Sequence, residues 1–401
     1  MPGDPAEPEG RYATLARRLA GKGHKVCWWT SSFSHRFKEP LDQRAAIATC
    51  KAIGIDIQFM TVPRYHRNIG FKRLWNHCLL ARSFRKNSRK KSERPDVIVA
   101  SSPPPMLSLQ AAKYAKESGA KILIDTQDLW PEVFYPLIPR MLRPFSRLLF
   151  MPWHTAVKKA YKLADAFVGS AEAYIVRARK LGGDKRITGV IPLGLDCQLF
   201  DSAVSKGYCK EFTKPDGEVW FIYAGSLTRN HDFLTLTKAF AKIHKTLDVR
   251  TRLFIAGRGY LSGKLKRIIE KQKLTNIIQT GFLDLNSLAY LLRQCNVGFN
   301  PSWPKTMVFL PYKLFYYFAA GLAVLNTMPG ECSQIITQNQ CGLDYKAGDI
   351  NSCAEAIKEA VNNPDRLHRM QENSRRLAQT VYDRRVLYQK YVDLIEKVAD
   401  I

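Results

Sequence analysis

Apolar positions recur along this chain in two alternating rhythms. A helical spacing over RYATLARRLAGKG turns Leu15, Ala16 and Leu19 to one side and stops at Gly21 and Gly23. It gives way to HKVCWWTSS, a short apolar run that reads as a buried strand. DIQFMTVP predicts a further strand, 75–91 a helix, and PDVIVASSPP a strand running into a loop. LSLQAAKYAKESG predicts a helix with a glycine stop, and AKILIDTQD another strand. The alternation pauses at 190–200, VIPLGLDCQLF, and restarts. EVWFIYAGSL, VRTRLFIAGRG, IIQTGFL and VGFNPSW predict strands separated by helical stretches, and 351–401 reads as C-terminal helices. This order predicts an α/β protein of two doubly wound layers with parallel sheets. The expected division is 1–189, a linker at 190–200, 201–380, and a C-terminal helix at 381–401 placed to pack back on the first layer. Ligands of such layers sit beyond the carboxyl ends of the strands.

The most informative stretch is 311–330, PYKLFYYFAAGLAVLNTMPG. Leu314, Phe315, Phe318, Ala319 and Leu322 keep helical spacing, Gly321 stands where a left-handed cap is needed, and AVLNT reads as a buried strand. Pro311 suits a first helical turn, with Lys313 beside it. A helix N-terminus and a strand end thus meet, each a common place to hold a phosphate. One more buried helix–strand unit is the plain alternative.

Charge narrows the picture. Lys and Arg outnumber Asp and Glu 62 to 35, and the excess lies mostly in the first half, with 34 basic and 16 acidic residues at 1–196. It is densest at 64–91, where no acid intervenes between Asp56 and Glu93 and aromatic and leucine residues interleave with the cations. Such a segment suits an anionic membrane surface; a nucleic-acid backbone and a plain solvated helix face are the alternatives. No helix-turn-helix, RNP or zinc-finger pattern accompanies the charge, so no nucleic acid is expected. The nine cysteines are never spaced C-x-x-C and read as reduced core residues of a cytosolic protein. No signal peptide opens the sequence and no apolar run approaches the ~18 residues of a membrane span. A protein of this kind would lie on a membrane rather than cross it.

Eight segments, in order, resemble family 4 glycosyltransferases of GT-B fold over roughly residues 10–400. They are RYATLARRLAGKGHKV, ADAFVGSAEAY, VIPLGLDCQLF, YAGSLTRNHDF, FIAGRGYLSGKLK, TGFLDLNSLAYLL, PYKLFYYFAAGLAVL and CGLDYKAGD. DTQDLWPE, at 125–132, is similar to the subfamily that adds sugars to lipid-linked or polysaccharide acceptors in bacterial envelope synthesis.

The resemblance implies roles for particular residues. Gly225 would let backbone approach a diphosphate. Arg229 and His231 stand where the family places cations on that diphosphate; many members have lysine at the second position. A neutral imidazole would weaken the clamp, and a bound diphosphate would favour its protonated form. Arg258, between Gly257 and Gly259, is a further phosphate contact, in a loop that is not a P-loop because Gly257 and Gly263 are one residue too far apart and Leu265 stands where Ser or Thr is needed. Gly281 and Phe282 resemble the base pocket, and Lys313 a basic position on the diphosphate side. Asp128 is the candidate acid facing the acceptor hydroxyl, with Glu132 beside it; capping the next helix or pairing with Arg140 or Arg143 is the alternative for both.

Two departures stand out. Where the family has Glu-x7-Glu, this chain has Val308 and Tyr316, whose hydroxyl would have to serve the ribose. The GT-B N-terminal domain also normally opens with an apolar strand ahead of the first helix, and none precedes this one. Without it the neighbouring strands must pair directly or leave a gap.

The resemblance therefore implies a metal-independent, retaining glycosyltransferase, since no Asp-x-Asp occurs. A nucleotide-sugar, with UDP as the expected nucleotide, would be the donor and no cofactor would be needed. The acceptor would be lipid-linked or a polysaccharide, at the inner face of the plasma membrane. The basic segment 64–91, together with Arg143, Arg147, Trp153, Lys158 and Lys159, would dock it there. An inactive GT-B scaffold, a basic nucleic-acid-binding protein and a UDP-sugar 2-epimerase are the rivals.

Overall fold

The structure, a computed structural model, describes residues 10–35, 38–65, 70–184, 186–243 and 250–400. Residues 66–69 of the basic segment thus lie outside it. The chain forms two compact units, divided between Pro192 and Leu193 and again between Val386 and Leu387, so the last residues belong with the first unit.

The first unit holds six parallel strands in two separate sheets. β1 (Val26–Ser31) pairs with β2 (Ile55–Met60). β3 (Val97–Ser102), β4 (Lys121–Thr126), β5 (Ala166–Gly169) and β6 (Ile187–Val190) form the other sheet in sequence order. The helix Arg11–Gly21 feeds β1 as a crossover helix would, but among the described residues no strand precedes it. A gap, rather than direct pairing, is the outcome. Its mark is visible in the burial. All of β5, and all of β4 but Lys121, are buried, as parallel strands covered on both faces should be. In β1 only Thr30 is. The core of this unit gathers instead around the helices Phe71–Ser88, Pro105–Ser118 and Met151–Leu163.

The second unit has one unbroken parallel sheet. Its strands are β7 (Val219–Ala224), β8 (Thr251–Ala256), β9 (Ile277–Gly281), β10 (Val297–Asn300), β11 (Ala323–Asn326) and β12 (Gly342–Asp344), in the order β12-β11-β10-β7-β8-β9. The chain runs outward on one side from β7 and on the other from β10. The crevice between those two strands is a topological switch point.

Three local expectations need correction. The helix at 311–330 spans Lys313–Ala320; Pro311 lies just before it, its carbonyl accepting from Leu314 N at 3.0 Å. Gly321 does close it at φ +71°. The helix expected at 75–91 covers Phe71–Ser88. The helix Gln43–Ala52, capped by the Asp42 carboxylate, escaped the apolar pattern because Cys50 is its one buried residue. All nine thiols are free, but Cys27, on the open strand β1, is exposed rather than core.

Candidate functional site

At the switch point of the second unit, three loops are sewn together by backbone bonds. Gly225 N donates to Ala256 O (2.9 Å), Leu227 N to Arg258 O (3.1 Å), Leu261 N to Leu227 O (3.0 Å) and Gly257 N to Gly281 O (2.7 Å). Glycine is required here. A Cβ on Gly257, whose φ is +138°, would stand 1.9 Å from Gly225 O. The loops after β7 and β10 are joined as well, by Asp232 N to Pro301 O (2.7 Å) and Trp303 N to Asn230 O (3.0 Å). Beneath them the buried Tyr317 hydroxyl accepts from Ala224 N and donates to Phe299 O, both at 3.0 Å, clamping the ends of β7 and β10. Tyr317, not singled out in the sequence, is the neighbour of the Tyr316 that the family register places at the ribose position.

This frame brings together cations from distant parts of the chain. Lys313 Nζ lies 2.9 Å from His231 Nε2 and 4.4 Å above the Tyr223 ring, while His231 Nδ1 is 3.2 Å from Thr228 Oγ1. A neutral ring accepting from the ammonium at Nε2 and donating from Nδ1 satisfies both contacts. Burial and then the Lys313 charge push His231 down to about 3, and burial pushes Lys313 down to about 7. Lys313 is therefore not an exposed helix lysine. Arg229 is exposed, its guanidinium 4.3 Å over Tyr260, whose hydroxyl it bonds at 2.5 Å. Arg258 borders Gly281, and Tyr260 and Phe282 stand out as exposed rings (72% and 65%) at the rim. The nearby carboxylate of Asp232 is already engaged by Thr235 N and Gly348 N. What remains is a preorganised cationic cradle, suited to an anion with several oxygens. Tyr316, on the same helix as Lys313, is half-buried, its ring against Tyr312 and Phe200. Val308 is exposed.

In the first unit, Asp128 follows β4 and is half-buried; burial raises its carboxyl above the usual range, and the Arg73 charge opposes this. Arg73 lies 4.9 Å over the ring of the buried Trp130, and the His77 ring is 5.0 Å from the same indole. His77 is 2% exposed, neutral through burial, and its Nδ1 has no hydrogen-bond partner among the described residues. Both Arg73 and His77 come from the basic segment, whose charge had suggested a solvent or membrane face; these two point inward. Glu132 pairs with a residue the sequence did not single out, Arg177. Arg177 Nη2 donates to both its oxygens (2.6 and 2.7 Å) and to Trp130 O (3.0 Å), so Glu132 braces the loop that carries Asp128. Arg11, unremarked in the sequence, is buried with Asp125 on β4 in a bidentate pair (2.6 and 3.0 Å).

Comparison with known proteins gives this architecture its class. Residues 10–199 match the family model described as Glycosyltransferase Family 4, and 208–377 the one described as Glycosyl transferases group 1. The O-antigen chain mannosyltransferase C of Escherichia coli is 23% identical over 319 residues, 74% of this chain and 80% of that protein. The structure of Anabaena HepE in complex with UDP superposes with a TM-score of 0.68 at 14% identity, covering 98% of this chain and 97% of that one. WaaG, a glycosyltransferase involved in lipopolysaccharide biosynthesis, gives 0.62 at 15% identity, over 96% and 94%. Two Rossmann-like units with these counterparts define a GT-B protein. The chain carries both halves that the two glycosyltransferase family models describe.

Proposed function

We propose that this glycosyltransferase moves a sugar from a UDP-sugar to a lipid-linked or polysaccharide acceptor in envelope polysaccharide synthesis, with retention and without a metal or other cofactor. The single observation behind the reading is the cationic cradle at the β7/β10 switch point. Arg229, Arg258 and the His231–Lys313 pair would hold the departing diphosphate, where charge develops as the sugar leaves. Phe282 would border the base. Tyr316 would meet a ribose through its hydroxyl. The UDP bound by the Anabaena protein supports the nucleotide, and the E. coli mannosyltransferase supports the acceptor class. Asp128 would face the acceptor hydroxyl, with its raised carboxyl able to take part in proton exchange, and Glu132 would hold that loop in place. The protein would work from the cytoplasm, peripherally at the inner membrane face; no described helix is long and apolar enough to cross a membrane.

The paired loss of acids at Val308 and Tyr316 favours one rival, a GT-B scaffold without activity. A thermal-melt panel with UDP, GDP, ADP and CMP separates the two. At ~100 times its dissociation constant a ligand of the folded state adds about 2.7 kcal/mol. A UDP-selective shift that disappears in Arg229→Ala supports the transferase; a sharp melt indifferent to all four nucleotides supports the scaffold.

A further inference from the structure

Between Glu132 and Asp165 the chain has no carboxylate at all. In the middle of that interval the usual sorting of residues by polarity is inverted. Over 141–150, spanning parts of the short helices Arg140–Phe145 and Ser146–Leu149, the buried positions are Ser146 and Phe150. The side chains turned outward are Met141, Leu142, Phe145, Leu148 and Leu149, joined by Met151 at the start of the next helix, with exposures from 55% to 87%. Phe150 anchors the segment from below, stacked on Phe134 at 5.8 Å and edge-on to Trp153 at 5.8 Å. The apolar face is therefore displayed by a packed support. Contiguous apolar display on this scale marks an interaction surface.

Charge identifies the occupant. Arg143 and Arg147 are exposed among the apolar side chains, and Lys158 and Lys159 are exposed on the following helix. A long apolar side chain beside a guanidinium matches a bilayer boundary, where acyl chains lie just under anionic headgroups. The segment is far shorter than the ~20 residues of a helical span, so it would enter one leaflet only.

We infer that segment 141–151 is a bilayer-insertion element, holding the first unit on an anionic membrane by buried apolar side chains and not by charge alone. The inference rests on the membrane-side acceptor reading above only for its purpose. It also shifts the weight of docking away from the basic segment 64–91, where Arg89 and Lys91 are paired with Glu117 and Asp56 and Arg73 and His77 face inward.

The test is co-sedimentation of the full chain with vesicles of phosphatidylcholine containing about one-third phosphatidylglycerol, a leaflet charge sufficient to draw basic proteins. It is run at low salt and at about 0.5 M salt, where screening leaves only a few ångströms of reach. Binding should persist in high salt and fall about tenfold in Leu148→Gln/Leu149→Gln, two exposed changes that leave the melt in place. Binding abolished by salt and untouched by the double variant would overturn the inference in favour of adsorption by charge. No vesicle binding, with a dimer by light scattering that the double variant dissolves, would overturn it in favour of a second copy on this face. The UDP-dependent melt reads the second unit separately, so failure of insertion and failure of the donor-site reading are distinguishable.

Discussion

The two units share one plan of parallel strands under helices, yet they hold their polar groups by different means. In the second, an unbroken sheet sets three loop ends side by side, and backbone bonds join them. The basic side chains there are passengers on a rigid frame, and among the described residues no acid takes part in the Lys313–His231 contact. In the first, the sheet is split, and side chains carry the load: Arg11 on Asp125, Arg177 on Glu132, Arg73 on Trp130. Removing a cation should therefore cost stability in the first unit and ligand affinity in the second.

The largest effect is expected at Arg11, the more deeply buried of these pairs. Arg11→Met leaves the Asp125 carboxylate buried without its guanidinium and removes the 2.8 Å bond to Ile191 O. Breaking such a pair from one side costs about 3–5 kcal/mol. Urea unfolding of parent and variant would show it, and a variant as stable as the parent would break the contrast between the units.

Next comes Lys313→Met, for which UDP affinity should fall about tenfold to a hundredfold, the range of a lost charge-assisted contact of about 1.5–3 kcal/mol. Its melt without ligand should not drop. With a folded pKa of about 7 against an ordinary 10.5, the unfolded chain binds more protons across that window, so Lys313 makes stability rise with pH and is a burden below it. A diphosphate favours the protonated lysine. UDP affinity of the parent should accordingly weaken as pH climbs through 7 toward 9, where a terminal phosphate (second pKa about 6) no longer titrates. Isothermal titration across that range should find this slope in the parent and a flat profile in the variant; a parent without a slope would mean that the lysine is not in contact with the phosphate.

Glu132→Gln is the mildest change. It weakens a mostly buried pair, for about 1–3 kcal/mol, and as a brace Glu132 should leave kcat per folded molecule within about tenfold, below the loss typical of a general acid or base. A fall of a thousandfold with unchanged stability would return Glu132 to the chemistry.

These cases also show what could be read along the chain. Strands such as β4 and β7 were legible because parallel strands covered on both faces must be apolar throughout. The His231–Lys313 contact was not, because it joins residues 82 apart through the adjacency of β7 and β10, which no local period encodes. Arg73 and His77 were misjudged for a related reason. Charge density assigns a segment to water, whereas a helix can turn two of its polar side chains onto an indole. The outward Met141, Leu142 and Phe145 were hidden by the opposite prejudice, that large apolar residues go inside.

The second division between the units, at Val386 and Leu387, has a consequence for how the protein is made. The helix Arg384–Ala399 returns Tyr388 and Tyr391 to the Arg11 guanidinium, 5.8 and 5.0 Å from their rings, and Glu396 to Lys22 and His24. The first unit to leave the ribosome is thus the last to be completed. At about 5–20 residues per second, roughly ten to forty seconds of synthesis separate Pro192 from the residues that close its unit. Through that interval the second unit can fold as an uninterrupted stretch, while Arg11 awaits neighbours not yet translated.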